Sequence, residues 1–273
     1  MLSIATVNVN GIRAAARRDE LAWIRESGAA AICLQEVRAP DELLHKALAD
    51  HGLGHLEVAH FESSAAGRSG VAVLTPYPIC KVVKGIPRTE FTDDGRWIET
   101  LLQTPTGPLR VVSVYVHTGE AETGRQAEKY RFLDAMTARM KTLRRRASSH
   151  GEEAVICGDL NVAHTTNDLK NWRGNKGRAG FLPEEQEYLT GLFKRGWTDL
   201  GREYAGDREG PYTWWSWRGQ AFDNDTGWRL DYILSTPGMA AGLSEVAVHR
   251  ADSYAKRWSD HAPVIAHFEE SSS

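Results

Sequence analysis

The chain has 273 residues, with 33 Lys and Arg against 36 Asp and Glu and a formal net charge of −3. Hydrophobic residues at 41% and charged residues at 25% exclude wholesale disorder, and the near balance of charge excludes an all-over basic coat for nucleic acid. The length supports a sizeable core, and no Pro/Gly/Ser linker divides it, so one domain over 1–273 is expected, with a short polar tail from about 269.

In chain order, the strand-like run LSIATVNV is followed by a helical pattern at about 17–27, then AAICLQ, a helical pattern at about 40–50, and GVAVLT. RWIETLLQT and LRVVSVYV come next, then a helix over about 126–147 with Tyr130, Leu133, Met136 and Met140 on one face at spacings of three and four. EAVICGDL precedes a helix at about 183–195, where Pro183 and the acids after it suit a helix start. RLDYIL and APVIAHF close the series. Several of these runs are apolar at nearly every position, as in strands covered on both faces. The expected class is α/β (α+β), a four-layer sandwich of two mixed sheets packed face to face with helices outside.

Cys33, Cys80 and Cys157 lie in apolar surroundings and read as buried thiols of a reducing compartment. The N-terminal MLSIATVNVNG lacks the pattern of a signal peptide, and no apolar run is long enough to span a bilayer. A soluble cytoplasmic protein with no membrane partner is the expectation. Seven of the nine tryptophans come after residue 170, and in TWWSW neighbouring strand residues point to opposite faces. Either Trp214 or Trp215 should therefore face away from the core as a stacking or wedge residue.

Four apolar runs end in a carboxylate or amide: Asn8 and Asn10, Glu36, Asp159 and Asn161, and Asp260 with His261. Singly, each reads as a turn former or cap. Jointly, in a two-sheet sandwich, they can converge on one rim, where hard oxygen donors suit Mg²⁺ or Mn²⁺ and phosphoryl chemistry. His261 could stabilise charge or accept a proton there, with Asp231 of RLDYIL to hold its ring.

The ordered set NVNGIR, LQE, GDLN followed by Ala163-His164, GWRLDYIL and SDHAPV resembles the exonuclease III family of apurinic/apyrimidinic (AP) endonucleases. That family lies within the larger endonuclease/exonuclease/phosphatase superfamily. LQE or SDHAPV alone would indicate only the superfamily; GWRLDY, YTWWSWR and NWRGNKGRAGFLPEEQ indicate the DNA-repair branch. The resemblance implies Glu36 as principal ligand of one or two Mg²⁺ (or Mn²⁺) ions, with Asp260 and Asn10 close by. It also implies that Asp159 orients or deprotonates water, that Asn161 serves that site or a second metal position, and that His261, held by Asp231, and Tyr115 meet the phosphate. Asn8 is a polar support. Either Asp159 or His261 could be the general base.

On the substrate side, the resemblance implies an apolar pocket of Trp214, Trp228 and Leu230 for an extruded abasic sugar, and Arg218 near the helix. Lys170, Asn171, Arg173, Lys176 and Arg178 form a basic run suited to phosphate contacts, although such a run is commonly just a solvated loop. Lys129 is a further phosphate-contact candidate, or else a helix surface residue. The implied activity is Mg-dependent hydrolysis 5′ to abasic sites by a monomer acting on double-stranded DNA with abasic sites or 3′ ends. Implied with it are 3′→5′ exonuclease and 3′-phosphodiesterase or phosphatase activities.

Two departures from the family pattern stand out: YVHTG carries His117 where proline is usual and Thr118 where a phosphate-binding asparagine is common, and Val7 stands for a tryptophan as a core change. The competing readings are another superfamily branch (a phosphoinositide phosphatase, a sphingomyelinase or a secreted deoxyribonuclease) and a DNA-binding module on a dead scaffold. The GWRLDY and TWW patterns count against the first, and the presence of Glu36, Asp159 and His261 against the second.

Overall fold

The apolar runs become the central strands. The computed structural model describes residues 2–17 and 21–269. In chain order its elements are β1 (Leu2–Asn8), α1 (Ile12–Arg17), α2 (Ala22–Ser27), β2 (Ala31–Gln35), α3 (Asp41–Asp50), β3 (Glu57–Phe61), β4 (Val71–Thr75), β5 (Ile79–Lys84), β6 (Trp97–Thr104) and β7 (Gly107–Tyr115). There follow α4 (Gly124–His150), β8 (Glu153–Asp159), α5 (Pro183–Lys194), β9 (Thr198–Asp199), α6 (Leu200–Ala205), β10 (Asp231–Ser235), α7 (Pro237–Ala240), β11 (Leu243–Val248) and β12 (Val264–Phe268). The helix expected at 17–27 is present as α2, with residues 18–20 outside the described residues, as is the polar tail from 270.

The strands form two six-stranded sheets, ordered β11-β12-β1-β2-β4-β3 and β5-β6-β7-β8-β10-β9. Each is mixed: β1 runs parallel to β2 and β7 parallel to β8, while the other pairings are antiparallel. Between the sheets lies an apolar layer that includes Ile4, Cys33, Val73, Val111, Val155 and Ile233. The outer face of the first sheet is covered by α1, α2 and α3 through Ile12, Ile24, Leu44 and Leu48, and Val7 lies in that layer, fully buried. The outer face of the second is covered by α4 and α5 through Phe132, Leu133, Met136, Met140, Leu189 and Leu192. This is the expected four-layer sandwich. Tyr130, the remaining member of the predicted α4 face, stacks on Tyr188 of α5.

The elements missing from the sequence reading are mostly edge strands. β5 is exposed at four of its six positions, and Cys80 within it is exposed, so the expectation of three buried thiols holds only for Cys33 and Cys157. A strand with one open side needs no continuous apolar run, which is why ICKVVK gave no signal.

This topology sets the rim. The C-terminal ends of the parallel pairs β1/β2 and β7/β8 open on the same side as the N-terminal ends of their antiparallel neighbours β12 and β10. In register, Asp159 faces Tyr115 on one side and Asp231 on the other, and Asn8 pairs with Gln35, the residue before Glu36.

Candidate active site

The strand ends turn sharply, and Asn10, Glu36 and Asn161 all take left-handed backbone conformations, with φ of 47°, 52° and 50°. Such φ values are unusual for residues with side chains and cluster at sites held by their surroundings. Here the hold is a hydrogen-bond lattice. Buried Asn8 donates from Nδ2 to Glu36 Oε1 at 2.8 Å and to Asp159 Oδ2 at 3.1 Å, joining the two sheets. Its Oδ1 accepts the Asn10 amide at 3.0 Å, and Asn10 Nδ2 donates to Asp260 Oδ1 at 2.9 Å. The Asn161 amide donates to Asp159 Oδ1 at 2.9 Å.

His261 is buried, with Nδ1 2.8 Å from Asp231 Oδ2 and Nε2 3.7 Å from Asp159 Oδ2. Burial alone would depress the imidazole pKa, but the Asp231 and Asp159 carboxylates outweigh it and hold it up at about 10. Asp159 is pushed up to about 7, first by burial, with Asp231 and Glu36 adding to the rise and His261 opposing it. Burial, then the nearby Glu36 and Asp159 charges, raise the Tyr115 phenol, which stays protonated at neutral pH. Tyr115 also lies under the Arg96 guanidinium at 4.7 Å.

Arg38 is the residue that sequence reasoning missed. Its guanidinium donates to Glu36 Oε2 and, at 2.6 Å, to Asn10 Oδ1, so one cation bridges two of the expected metal ligands. The only sequence signal was a base two residues after Glu36. A hard-oxygen donor set of Glu36, Asp260 and Asn10 that already accommodates a positive group fits a divalent ion with positions left for water and phosphate. Among the described residues, no group of three or more His, Cys, Asp or Glu is arranged to hold a metal ion.

Glu36, Arg38, Tyr115, Asp159, Asn161, Asp260 and His261 line a cleft of about 340 Å³ whose other wall is Trp214, Trp228 and Leu230. Trp215 is the buried member of the tryptophan pair, packed with Tyr212 and Phe222, so Trp214 is the one that faces the cleft. Its ring meets Trp228 edge-on at 6.3 Å, and its Nε1 donates to Asp260 Oδ2 at 3.1 Å. Thr213 Oγ1 accepts the amides of Leu230 and Asp231 at 3.0 and 3.1 Å, fixing the step from apolar wall to acid. Beneath this wall, Arg229 is bidentate to Asp199 at 3.0 and 2.8 Å and donates to Asp168 at 2.7 Å.

Lys170, Asn171, Arg173, Lys176, Arg178 and Arg218 are exposed. Lys170 is paired with Glu209 at 2.8 Å, and Arg173 and Lys176 cover the Trp172 ring at 4.4 and 5.0 Å. Lys129 does not belong with them. Its side chain is fully buried and its ammonium group donates only inward, to Thr118 O, Asn161 O and Glu185 Oε1, so it is neither a phosphate contact nor a surface residue. In the departing YVHTG loop, His117 packs edge-on against Phe91 and Phe132. Burial, helped by Arg96, holds its pKa down at about 3, so it is a neutral ring filling the place of the proline. Thr118 is exposed and lines the cleft.

Residues 5–261 match the Endonuclease/Exonuclease/phosphatase family, and the chain belongs to it. It is 31% identical to an exodeoxyribonuclease of Bacillus subtilis over 96% of this chain and 98% of that one, and 32% identical to a DNA repair nuclease of Danio rerio over 96% and 81%. The solved AP endonuclease from Archaeoglobus fulgidus superposes with a TM-score of 0.86 at 25% identity, covering 99% of this chain and 100% of that one. A Neisseria 3′ phosphatase bound to a product DNA hairpin gives 0.86 at 26% identity over 99% and 100%. Within the family the chain is a hydrolytic nuclease of the exodeoxyribonuclease III and AP endonuclease group, working in DNA repair. The family depends on a divalent metal. No helix among the described residues is long and apolar enough to cross a membrane.

Proposed function

We propose that this protein hydrolyses the DNA backbone 5′ to abasic sites with Mg²⁺ (or Mn²⁺), leaving a 3′-hydroxyl, and also trims 3′ ends as an exonuclease and 3′-phosphodiesterase or phosphatase. It acts as a cytoplasmic monomer in base excision repair. The observation that carries this reading is Asp260, which touches both halves of one cleft: Asn10 on the charged wall and Trp214 on the apolar one. A base-free sugar fits the compact apolar wall, a normal nucleotide is excluded by size, and extrusion is cheapest where stacking is already lost.

Glu36, with Asp260 and Asn10 beside it, would hold a divalent ion, which supplies charge neutralisation at nonbridging phosphate oxygens. Asp159, aimed by Asn8 and the Asn161 amide, orients the attacking water and takes its proton. Protonated His261, steadied by Asp231, donates to a phosphate oxygen as charge develops. Tyr115, kept as a neutral phenol, gives a second donor at the same place. The basic run at 170–178 and Arg218 bind flanking phosphates, with Trp214, Trp228 and Leu230 around the sugar.

The test is a duplex carrying one abasic analogue, incubated with Mg²⁺ or with EDTA beside an undamaged control. A single nick 5′ to the lesion, absent with EDTA, is expected. No nick with Mg²⁺, or equal nicking of the control, sinks the reading.

A further inference from the structure

The fully buried Lys129 does something other than bind DNA. Its ammonium group has three hydrogens and three acceptors: Thr118 O at 3.1 Å, Asn161 O at 2.8 Å and Glu185 Oε1 at 2.6 Å. Those acceptors belong to three separate stretches of chain, and each stretch contributes to the cleft. Thr118 follows β7, Asn161 follows β8, and Glu185 lies in the first turn of α5, which begins three residues after the cleft-lining Ala179 and Gly180.

Each tie is itself secured. Glu185 Oε2 accepts the Leu182 amide at 3.0 Å, and Gln126 Nε2 donates to Glu185 Oε1 at 2.9 Å. The Gly180 carbonyl accepts the Ala163 amide at 2.8 Å. The loop after β7 lies so close over this point that a Cβ on Gly119, at φ +75°, would come within 2.9 Å of Lys129 Cδ and 2.4 Å of Gln126 Oε1. A buried charge pair of this kind is poor evidence for stability, since apolar replacements of both partners are often no worse. What it does well is fix geometry.

We propose that Lys129 is a positioning residue that clamps the loops after β7 and β8 and the start of α5 together, so that Asp159, aimed by the Asn161 amide, holds the attacking water in reacting geometry. The proposal rests on the function assigned above to those two residues. Misplacement of about 1 Å by a change away from the chemistry can lower the rate about 100-fold, and none of the acceptors of Lys129 lies in the exposed basic run at 170–178.

The test uses two variants of the full chain. Lys129→Met with Glu185→Gln removes both charges at nearly constant volume, and Lys129→Arg keeps the charge while misaligning the three donors. On abasic duplex with Mg²⁺, both are expected to lose about 10- to 100-fold in kcat with KM and salt dependence unchanged. Amide exchange at 116–119 and 160–163 should accelerate in both, a readout independent of activity. Wild-type kcat and exchange in either folded variant overturn the clamp. So does a raised KM with a shallower salt slope at constant kcat, which would be the signature of a phosphate contact. Wild-type protein that fails to nick the duplex sinks the proposed function instead, and the exchange result still decides the clamp.

Discussion

The catalytic rim and the basic loop at 170–178 are neighbours built on opposite principles. At the rim, Asn8, Glu36, Asp159, Asp231 and His261 are buried, and most of their polar atoms have defined partners. In the loop, Lys170, Arg173, Lys176 and Arg178 stand in solvent, tied down by one ion pair and two ring contacts. Charge in the rim is held to within ångströms by its hydrogen bonds, as the proposed chemistry requires. Under the proposed function, charge in the loop need only be in the right region, because counterion release by phosphate contacts does not depend on exact placement. The net charge of −3 averages the two and describes neither.

That contrast can be broken at several points. The largest effect is expected at Asp159→Asn, which should lower kcat by roughly 10²- to 10⁴-fold while DNA binding, measured by gel shift, stays near wild type. Near wild-type turnover would remove Asp159 from the chemistry. Next is Arg229→Met, which strips Asp199 of its ion-pair partner and leaves Asp168 with Arg202 alone beneath the apolar wall, and should cost about 3–5 kcal/mol in urea unfolding. A loss below about 1 kcal/mol would show the network to be dispensable.

A third effect is in pH. Burial would raise the Asp168 pKa, but Arg229 and Arg202 outweigh it and hold it down at about 2 in the folded chain, below the ordinary 3.8. Because the folded value is the lower, its contribution is complete above about pH 4 and is lost as pH falls through 2. Stability should therefore drop by about 2 kcal/mol over that window from this residue, and Asp168→Asn should flatten that part of the profile. An unchanged profile would contradict the pairing. The smallest effect is at Lys170→Ala, where the log–log salt slope of DNA binding should shrink by about 0.9 with kcat unchanged. A change in kcat there would erase the distinction between rim and loop.

Much of the rim was legible because a polar residue at the end of a long apolar run stands out, as Asn8, Glu36 and Asp159 do. The central strands were legible for the same reason. The edge strands were not, since β5 and β11 keep one side open to water and carry mixed residues. Lys129 was misread although the pattern held the clue: it lies three and four residues before Phe132 and Leu133, on the stripe that α4 buries. A charge on a buried stripe is an internal tie before it is a ligand contact. Arg38 was invisible because its importance lies in where the turn after β2 aims it, with φ of 51°, and no spacing rule encodes that.

The link between Asn8 and the far end of the chain has a consequence for synthesis. Ser259 Oγ donates to the Asn8 carbonyl at 2.6 Å, and β12 must pair with β1 before Asp260 and His261 reach the rim. Glu36 and Asp159 emerge from the ribosome long before the partners that complete their site. A chain lacking β12 would thus be expected to carry Glu36 and Asp159 without Asp260 and His261 held beside them.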